Sequence, residues 1–229
     1  MFAHRGASAY APENSLEAFQ LAMKLGATGL ETDCWLTSDN EVILDHDGVV
    51  KNRRFAKFGS RKISTVRFND LEKTVVKFSQ LLELVDVETP LSIDVCDVDA
   101  MSRINESTND QSNCSRIFIC HPDIEILADW KVKYPNFKYV NSIRLGKITE
   151  GPEMRCARLS RLNLDVLNMH RTDWNGGLVA LAHRFGLGAF CWDLQHREQI
   201  ENALLMGADA IYSDWPDRMV DAFKNTLVI

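Results

Sequence analysis

Short runs rich in β-branched and aromatic residues alternate along this chain with longer segments whose apolar residues recur every three or four positions. This alternation is typical of a parallel sheet with crossover helices. Eight such runs are present: 1–5, 29–36, 91–96, 116–121, 137–143, 165–170, 188–193 and 210–215. Eight strands with intervening helices favour a TIM-type (β/α)8 barrel, of the α/β class, over an open sheet. The sequence also lacks the Gly-x-Gly-x-x-Gly turn of a dinucleotide fold.

The segments between these runs predict the helices. Their apolar spacing places helices at 15–25, 68–84, 100–110, 124–133, 153–162, 177–185, 197–205 and 216–225. Gly26, Gly186 and Gly207 lie where helices should end, and Pro216 should open the last helix. Residues 41–47 are strand-like but follow the second strand closely, so we expect an extra extended piece above the barrel.

The chain has 229 residues, a usual length for one α/β barrel. Hydrophobic residues make up 45% of it, which is enough for a substantial core. We therefore expect a single domain covering residues 1–229.

Charge and composition exclude some partners. The net charge is −6, and no stretch is basic enough to grip a nucleic-acid backbone. The most basic cluster is interpreted either as a solvated loop or as a rim that attracts a small anionic substrate; it comprises Lys51, Arg53, Arg54, Lys57, Arg61 and Lys62. No apolar stretch approaches the roughly 20 residues of a membrane span.

The cysteines and the first residues indicate the compartment. The six cysteines have no metal-finger spacing, and most lie in strand-like runs, so we expect reduced thiols. The chain enters the first predicted strand at once, which leaves no room for a secretion signal. We expect a cytoplasmic protein.

Three acidic residues predict a metal site. Glu31 and Asp33 are two positions apart in the second strand, so their side chains point to the same face. Asp94 interrupts the apolar third strand. If these side chains face the barrel mouth, where such folds carry their active sites, their oxygens suit one Mg²⁺ or Ca²⁺ ion. The alternative is that the carboxylates face outward.

Histidine and arginine residues near these acids are the candidate catalytic and substrate-binding groups. His4 and His46 could transfer protons near neutral pH. Arg5 could offer forked donors to a phosphate or serve as a counter-ion for the carboxylates. Trp192, at the end of the seventh strand, could wall the pocket against the organic part of a substrate or belong to the core.

Two blocks of the sequence resemble the glycerophosphodiester phosphodiesterase family. The N-terminal block HRGASAYAPENSLEAFQLAMKLGATGLETDCWLTSDNEVILDHD has the HRG turn, the PENS entry, the E-x-D pair and the later HD of that family. GADAIYSDWPD resembles its last strand. The likeness covers roughly 1–47 and 186–217 and is looser between them.

The resemblance implies a TIM barrel that releases glycerol 3-phosphate and an alcohol from a small glycerophosphodiester. It also implies a divalent cation held by Glu31, Asp33 and an acid of the third strand. In that family pattern His4 and His46 are the acid–base pair, and Arg5 binds phosphate.

The chain departs from the family pattern in the third and seventh strands. The third strand has Asp94 and Cys96 where I-E-x-K is usual, and the seventh has W-D-L-Q where W-T-V-N is frequent. These differences leave open a phospholipase-D-like reaction on a lysophospholipid or another diester. A phosphate-ligand binding module without catalysis is the remaining alternative.

Overall fold

The computed structural model describes residues 1–50, 60–108 and 114–226. The strands in these ranges are β1 (Phe2–Ala3), β2 (Gly29–Leu36), β3 (Val42–Leu44), β4 (Val49–Val50), β5 (Arg61–Lys62), β6 (Val76–Lys77), β7 (Leu91–Val95), β8 (Ile117–His121), β9 (Lys138–Ser142), β10 (Val166–His170), β11 (Gly188–Trp192) and β12 (Ala210–Ser213). The helices are α1 (Leu16–Lys24), α2 (Phe78–Leu84), α3 (Ala100–Ser107), α4 (Ile124–Lys133), α5 (Pro152–Arg161), α6 (Gly176–Arg184), α7 (Arg197–Leu205) and α8 (Pro216–Thr226).

Parallel strands close into a barrel. The order around it is β1, β12, β11, β10, β9, β8, β7 and β2, and β1 pairs with both β12 and β2, which completes the ring. The predicted TIM-type (β/α)8 barrel is confirmed, and each predicted strand run contains one barrel strand.

Two apolar cores follow from the alternation of side chains along the strands. The inner core fills the barrel and includes Phe2, Phe190 and Tyr212, with the rings of Phe2 and Tyr212 stacked at 5.1 Å between centroids. The outer core lies between the strands and the helices. The inner core forms the floor beneath the polar residues at the strand ends.

The prediction of one long helix over 68–84 is wrong. Only Phe78–Leu84 is α-helical, because Val76 and Lys77 pair antiparallel with β3 instead. Thr74, Val75 and Val76 are β-branched, and such residues lose rotamer freedom in a helix and favour strands. The side-chain oxygen of Gln80 then caps the start of α2 by accepting a hydrogen bond from the backbone N–H of Lys77 at 2.9 Å.

The extra extended piece predicted at 41–47 is present as β3. It pairs antiparallel with the end of β2, with Cys34 opposite Leu44. This hairpin returns the chain to the barrel mouth just before His46. Of the predicted basic cluster, Arg61 and Lys62 are exposed in β5; Lys51, Arg53, Arg54 and Lys57 lie outside the described residues.

The cysteines match the expectation of free thiols. None of the six, all of which lie in the described ranges, forms a disulfide bond. Five are buried, and only Cys96, which follows β7, is exposed. Among the helices in the described ranges, none is both long and apolar enough to cross a membrane.

The turn after β1 requires glycine. Gly6 has φ +81°, and a Cβ there would lie 2.7 Å from the carbonyl carbon of Ala18 in α1. The next residue, Ala7, donates its N–H to the carbonyl of Ala18 at 2.9 Å. The turn is therefore pressed directly onto the helix, with no space for a side chain.

We expect Gly6→Ala to destabilise the fold by about 2–4 kcal/mol, because it adds left-handed strain to a backbone clash. Chemical denaturation measures the change. Gly176→Ala is the control: its Cβ would meet nothing within 4 Å, so stability should be unchanged or slightly higher. Equal stabilities of the two variants would contradict this account of the turn.

Candidate active site

Three carboxylates converge at the carboxyl ends of β2 and β7. Asp33 and Asp94 are paired in register across these strands, and Glu31 precedes Asp33 on the same face. One oxygen of each residue lies within 4.8 Å of the others. Only 4% of Glu31 and 6% of Asp33 is exposed. Leu30 and Cys34, on the opposite face of β2, pack in the outer core between strands and helices, so the alternative in which the carboxylates face outward is wrong.

One cavity of about 180 Å³ contains every residue predicted for the site. Three further residues, which sequence reasoning did not single out, complete its wall. The lining is His4, Arg5, Glu31, Asp33, His46, Asp94, Ser142, Asn168, Trp192 and Tyr212.

The carboxylates repel one another in this setting. Burial, assisted by the charges of Asp33 and Asp94 and opposed by His4, raises the pKa of Glu31 to about 8. Burial and the charge of Asp33 raise the pKa of Asp94 to about 6. Burial also raises the pKa of Asp33, although Arg5 and His46 oppose it. The folded chain therefore holds these groups in their charged form only at a cost in free energy.

This donor set fits a hard divalent cation. The ligands are all oxygens, they are close together, and Oδ2 of Asp33 is buried without a hydrogen-bond partner among the described residues. Mg²⁺ and Ca²⁺ prefer oxygen ligands of this kind. A cation among the three would offset their mutual repulsion.

His4 is held beside Glu31 by an aspartate at the end of β12. Its Nδ1 lies 2.7 Å from Oδ1 of Asp214, and its Nε2 lies 3.8 Å from Oε2 of Glu31. Burial disfavours the imidazolium, but the charge of Glu31 and the hydrogen bond to Asp214 outweigh it and raise the pKa of His4 to about 9. Asp214 thus fixes the ring so that Nε2 faces the carboxylates.

His46 also lines the cavity. It follows β3 and is half-exposed, with Nδ1 3.1 Å from Oδ1 of Asp47. Both imidazoles therefore border the cavity that holds the carboxylate cluster.

Arg5 contacts carboxylates with both its side chain and its backbone. Its Nε lies 3.3 Å from Oδ2 of Asp33, and Nη1 donates to Glu13 at 2.8 Å. Its backbone N–H donates to Oε2 of Glu31 at 2.9 Å. Its φ of +54° turns this N–H into the site. The counter-ion interpretation of Arg5 is confirmed by this geometry.

A polar cluster lies beside Trp192, formed by residues that the sequence places at strand ends without indicating that they pair. Nε2 of His170 lies 2.8 Å from Oδ2 of Asp193, and the His170 ring packs edge-on against Trp192 at 4.5 Å between centroids. The guanidinium of Arg144 lies 5.9 Å from the centre of the Trp192 ring. A signal was available, because His170 and Asp193 both end neighbouring strands of the predicted barrel.

Two other polar residues were also missed. Asn14 is buried, and its Oδ1 accepts from Thr32 at 2.7 Å, which ties the start of α1 to β2. Asn168 donates to Ser142 at 3.2 Å across the cavity wall. Asn14 belongs to the PENS entry, but its contact with Thr32 depends on the turn before α1. The contact of Asn168 depends on the register between β9 and β10.

Comparison with known proteins identifies a matching family model. The model of the glycerophosphoryl diester phosphodiesterase family matches residues 4–218. Among curated proteins, a glycerophosphodiester phosphodiesterase of Caldanaerobacter subterraneus is 26% identical, with 98% of this chain and 97% of the relative aligned.

Solved structures show the same fold. A glycerophosphodiester phosphodiesterase of Thermotoga maritima superposes with a TM-score of 0.83 at 22% identity, covering 96% of both chains. A phosphodiesterase of Oleispira antarctica, in complex with the product sn-glycerol-3-phosphate, gives a TM-score of 0.82 at 18% identity, covering 97% of this chain and 96% of that one.

The carboxylate repulsion predicts a stability effect that depends on pH. The carboxyl group of Asp94 has its ordinary pKa of 3.8 in the unfolded chain and a pKa raised to about 6 in the metal-free folded chain, so the destabilisation sets in as pH rises above about 4 and is complete above about 6. Asp94→Asn should therefore raise the free energy of unfolding of chelator-treated protein at pH 8, by about 1–3 kcal/mol, and raise it by about half as much at pH 5.

Denaturant titrations at the two pH values measure this difference. Asp86→Asn is the matched control, because Asp86 is exposed and remote from the cavity, and it should have little effect at either pH. An equal effect of Asp94→Asn at pH 5 and pH 8 would show that charge repulsion is not its cause.

Proposed function

Because this chain belongs to the glycerophosphoryl diester phosphodiesterase family, we propose that it hydrolyses glycerophosphodiesters to glycerol 3-phosphate and an alcohol with one divalent cation. The family match runs through the barrel, and a structural neighbour holds the product sn-glycerol-3-phosphate. The observation that carries the proposal is the single cavity that brings together three carboxylates, two imidazoles and an arginine.

Glu31, Asp33 and Asp94 would hold the cation, which is Mg²⁺ or Ca²⁺. When bound, it would supply a positive charge that polarises a phosphoryl oxygen. The phosphate would then lie in the same cavity, beside the carboxylates and within reach of the imidazoles that line it.

His4 and His46 are the proposed proton-transfer pair. One takes the proton from the attacking hydroxyl, and the other gives a proton to the departing alcohol oxygen. Attack by water gives glycerol 3-phosphate directly, whereas attack by a hydroxyl of the glycerol moiety gives a cyclic phosphate that water then opens to glycerol 3-phosphate. Their common place in the wall of the carboxylate cavity supports this pairing. Asp214 is a positioning residue, because it holds Nδ1 of His4 and leaves Nε2 free to face the reacting atoms.

Arg5 and Trp192 are the proposed substrate-binding residues. Arg5 would turn part of its guanidinium to a phosphate oxygen while it balances Asp33. Trp192 would cover the organic part of the substrate, since it lines the cavity beside His170. The cytoplasmic location stays a prediction.

The proton-transfer roles predict a loss of turnover without a loss of structure. His4→Ala and His46→Ala should each lower kcat by roughly 10²-fold or more, which is the usual contribution of a general acid or base. Glycerol 3-phosphate release from glycerophosphocholine and glycerophosphoethanolamine measures this, with thermal melts as a check on folding.

His183→Ala is the matched control for both variants. His183 lies on α6 and pairs with Asp209 at 2.8 Å, outside the cavity. It should retain wild-type kcat. Wild-type turnover in His4→Ala or His46→Ala would remove that residue from the mechanism.

The proposed cation predicts loss of activity on chelation. Exhaustive treatment with a chelator should abolish turnover, and added Mg²⁺ or Ca²⁺ should restore it. Calorimetric titration of the chelated protein gives a second readout: Glu31→Gln should lose cation binding, whereas Glu41→Gln, which lies outside the cavity, should keep it. Undiminished activity after chelation would exclude the metal-assisted reaction.

A further inference from the structure

A second pocket opens beside the carboxylates. It has a volume of about 460 Å³, within the range of small-molecule sites, about 300–1,000 Å³. Asp94 and Ser142 line both this pocket and the cavity described above, so the two are adjacent and share a border. The lining is Trp35, Asp94, Val95, Cys96, Cys120, His121, Pro122 and Ser142.

The alternation of the barrel strands builds this pocket. Trp35 follows Glu31 and Asp33 at two-residue steps along β2, and Cys96 follows Asp94 by the same step. The side chains of Trp35 and Cys96 therefore lie on the same strand face as the carboxylates, two residues further along each strand and closer to solvent. Gly48 packs directly against the indole, since a Cβ at this position would lie 2.4 Å from the Trp35 ring.

The pocket wall is predominantly apolar and carries little charge. Among the described residues that line it, Asp94, at the border with the cavity, is the only acidic one, and none is lysine or arginine. His121 adds no charge at neutral pH, because burial lowers its pKa and its Nδ1 accepts from the N–H of Asp123 at 3.0 Å. Such a wall favours an uncharged, apolar group over an ammonium or a carboxylate.

We propose that this pocket binds an apolar substituent of the alcohol that leaves from the phosphodiester, and that the chain prefers diesters of alkyl alcohols. This inference rests on the proposed function, since it places the phosphate at the carboxylates and the alcohol across the shared border at Asp94. The ester oxygen that links phosphorus to the leaving alcohol then points into the pocket, and the alkyl chain contacts Trp35.

The test is a series of sn-glycerol 3-phosphate diesters of ethanol, butanol and hexanol, with the ethanolamine diester for comparison. With Mg²⁺ or Ca²⁺ present, kcat/KM should rise about two- to fourfold per methylene, which is the effect of removing a methylene from water. The ethanolamine diester should be the poorest substrate. Equal or inverted values along the series would overturn the inference.

Paired variants locate the effect in the pocket. Trp35→Ala should flatten the dependence on chain length, whereas Trp35→Phe should keep most of it. Cys96→Lys, which brings an ammonium group to the pocket, should also flatten it, whereas Cys96→Ser should not. A dependence on chain length that is equal in all four variants would place the alkyl group elsewhere and overturn the inference.

Binding separates failure of this inference from failure of the proposed function. Glycerol esters of alkylphosphonic acids have a P–C bond in place of the bond to be broken, so calorimetry gives their Kd without turnover. Turnover of all diesters with no effect of chain length rejects the pocket alone. No turnover of any diester rejects the proposed function, and a Kd independent of chain length then also rejects the pocket.

Discussion

Repulsion among the carboxyl groups of Glu31, Asp33 and Asp94 is the constraint around which the barrel mouth is organised. The strand register holds these groups close together and largely out of water, which raises the pKa of each. Positive charge and donors approach from the segment after β1, where His4 and Arg5 contact the same carboxylates. The left-handed turn at Arg5 and Gly6 brings these groups to the carboxylates, and the turn itself packs against α1. The charge balance of the site therefore depends on the packing of α1, because the turn that brings His4 and Arg5 to the carboxylates packs on this helix.

The sequence predicted the barrel well because its strongest signals are periodic. The strand runs are apolar and short, and the helices between them are amphipathic. Both patterns can be recognised in the sequence without knowledge of tertiary contacts. The rule that active sites lie at the carboxyl ends of barrel strands then brought Glu31, Asp33 and Asp94 to one place. The error at 68–84 has the opposite origin. Its apolar spacing fits a helix, but pairing with β3 takes Val76 into a strand, and this pairing depends on a hairpin elsewhere in the chain.

The contacts between residues of the site could not be predicted, because they depend on which strands are neighbours and on the register between them. The contact of His4 with Asp214 joins the two ends of the chain, through a pairing of β1 with β12 that exists only when the barrel closes. The pair of His170 and Asp193 requires the register between β10 and β11. Trp35 looks like one more aromatic residue of a strand. Its place in a pocket wall follows only from the strand's length beyond Asp33 and from the contact with Gly48.

The barrel mouth is divided between a polar cavity and a predominantly apolar pocket that meet at Asp94 and Ser142. Changes on the two sides of this border have different physical consequences. A change among the carboxylates or imidazoles alters charge where the phosphate would lie, and it therefore affects every substrate. A change at Cys96 or Trp35 alters only the surface next to the leaving alcohol. Cys96, where the family pattern usually has lysine, lies on the side of the apolar pocket. Its effect should therefore be sought in the choice of alcohol, because no proposed proton-transfer group is replaced.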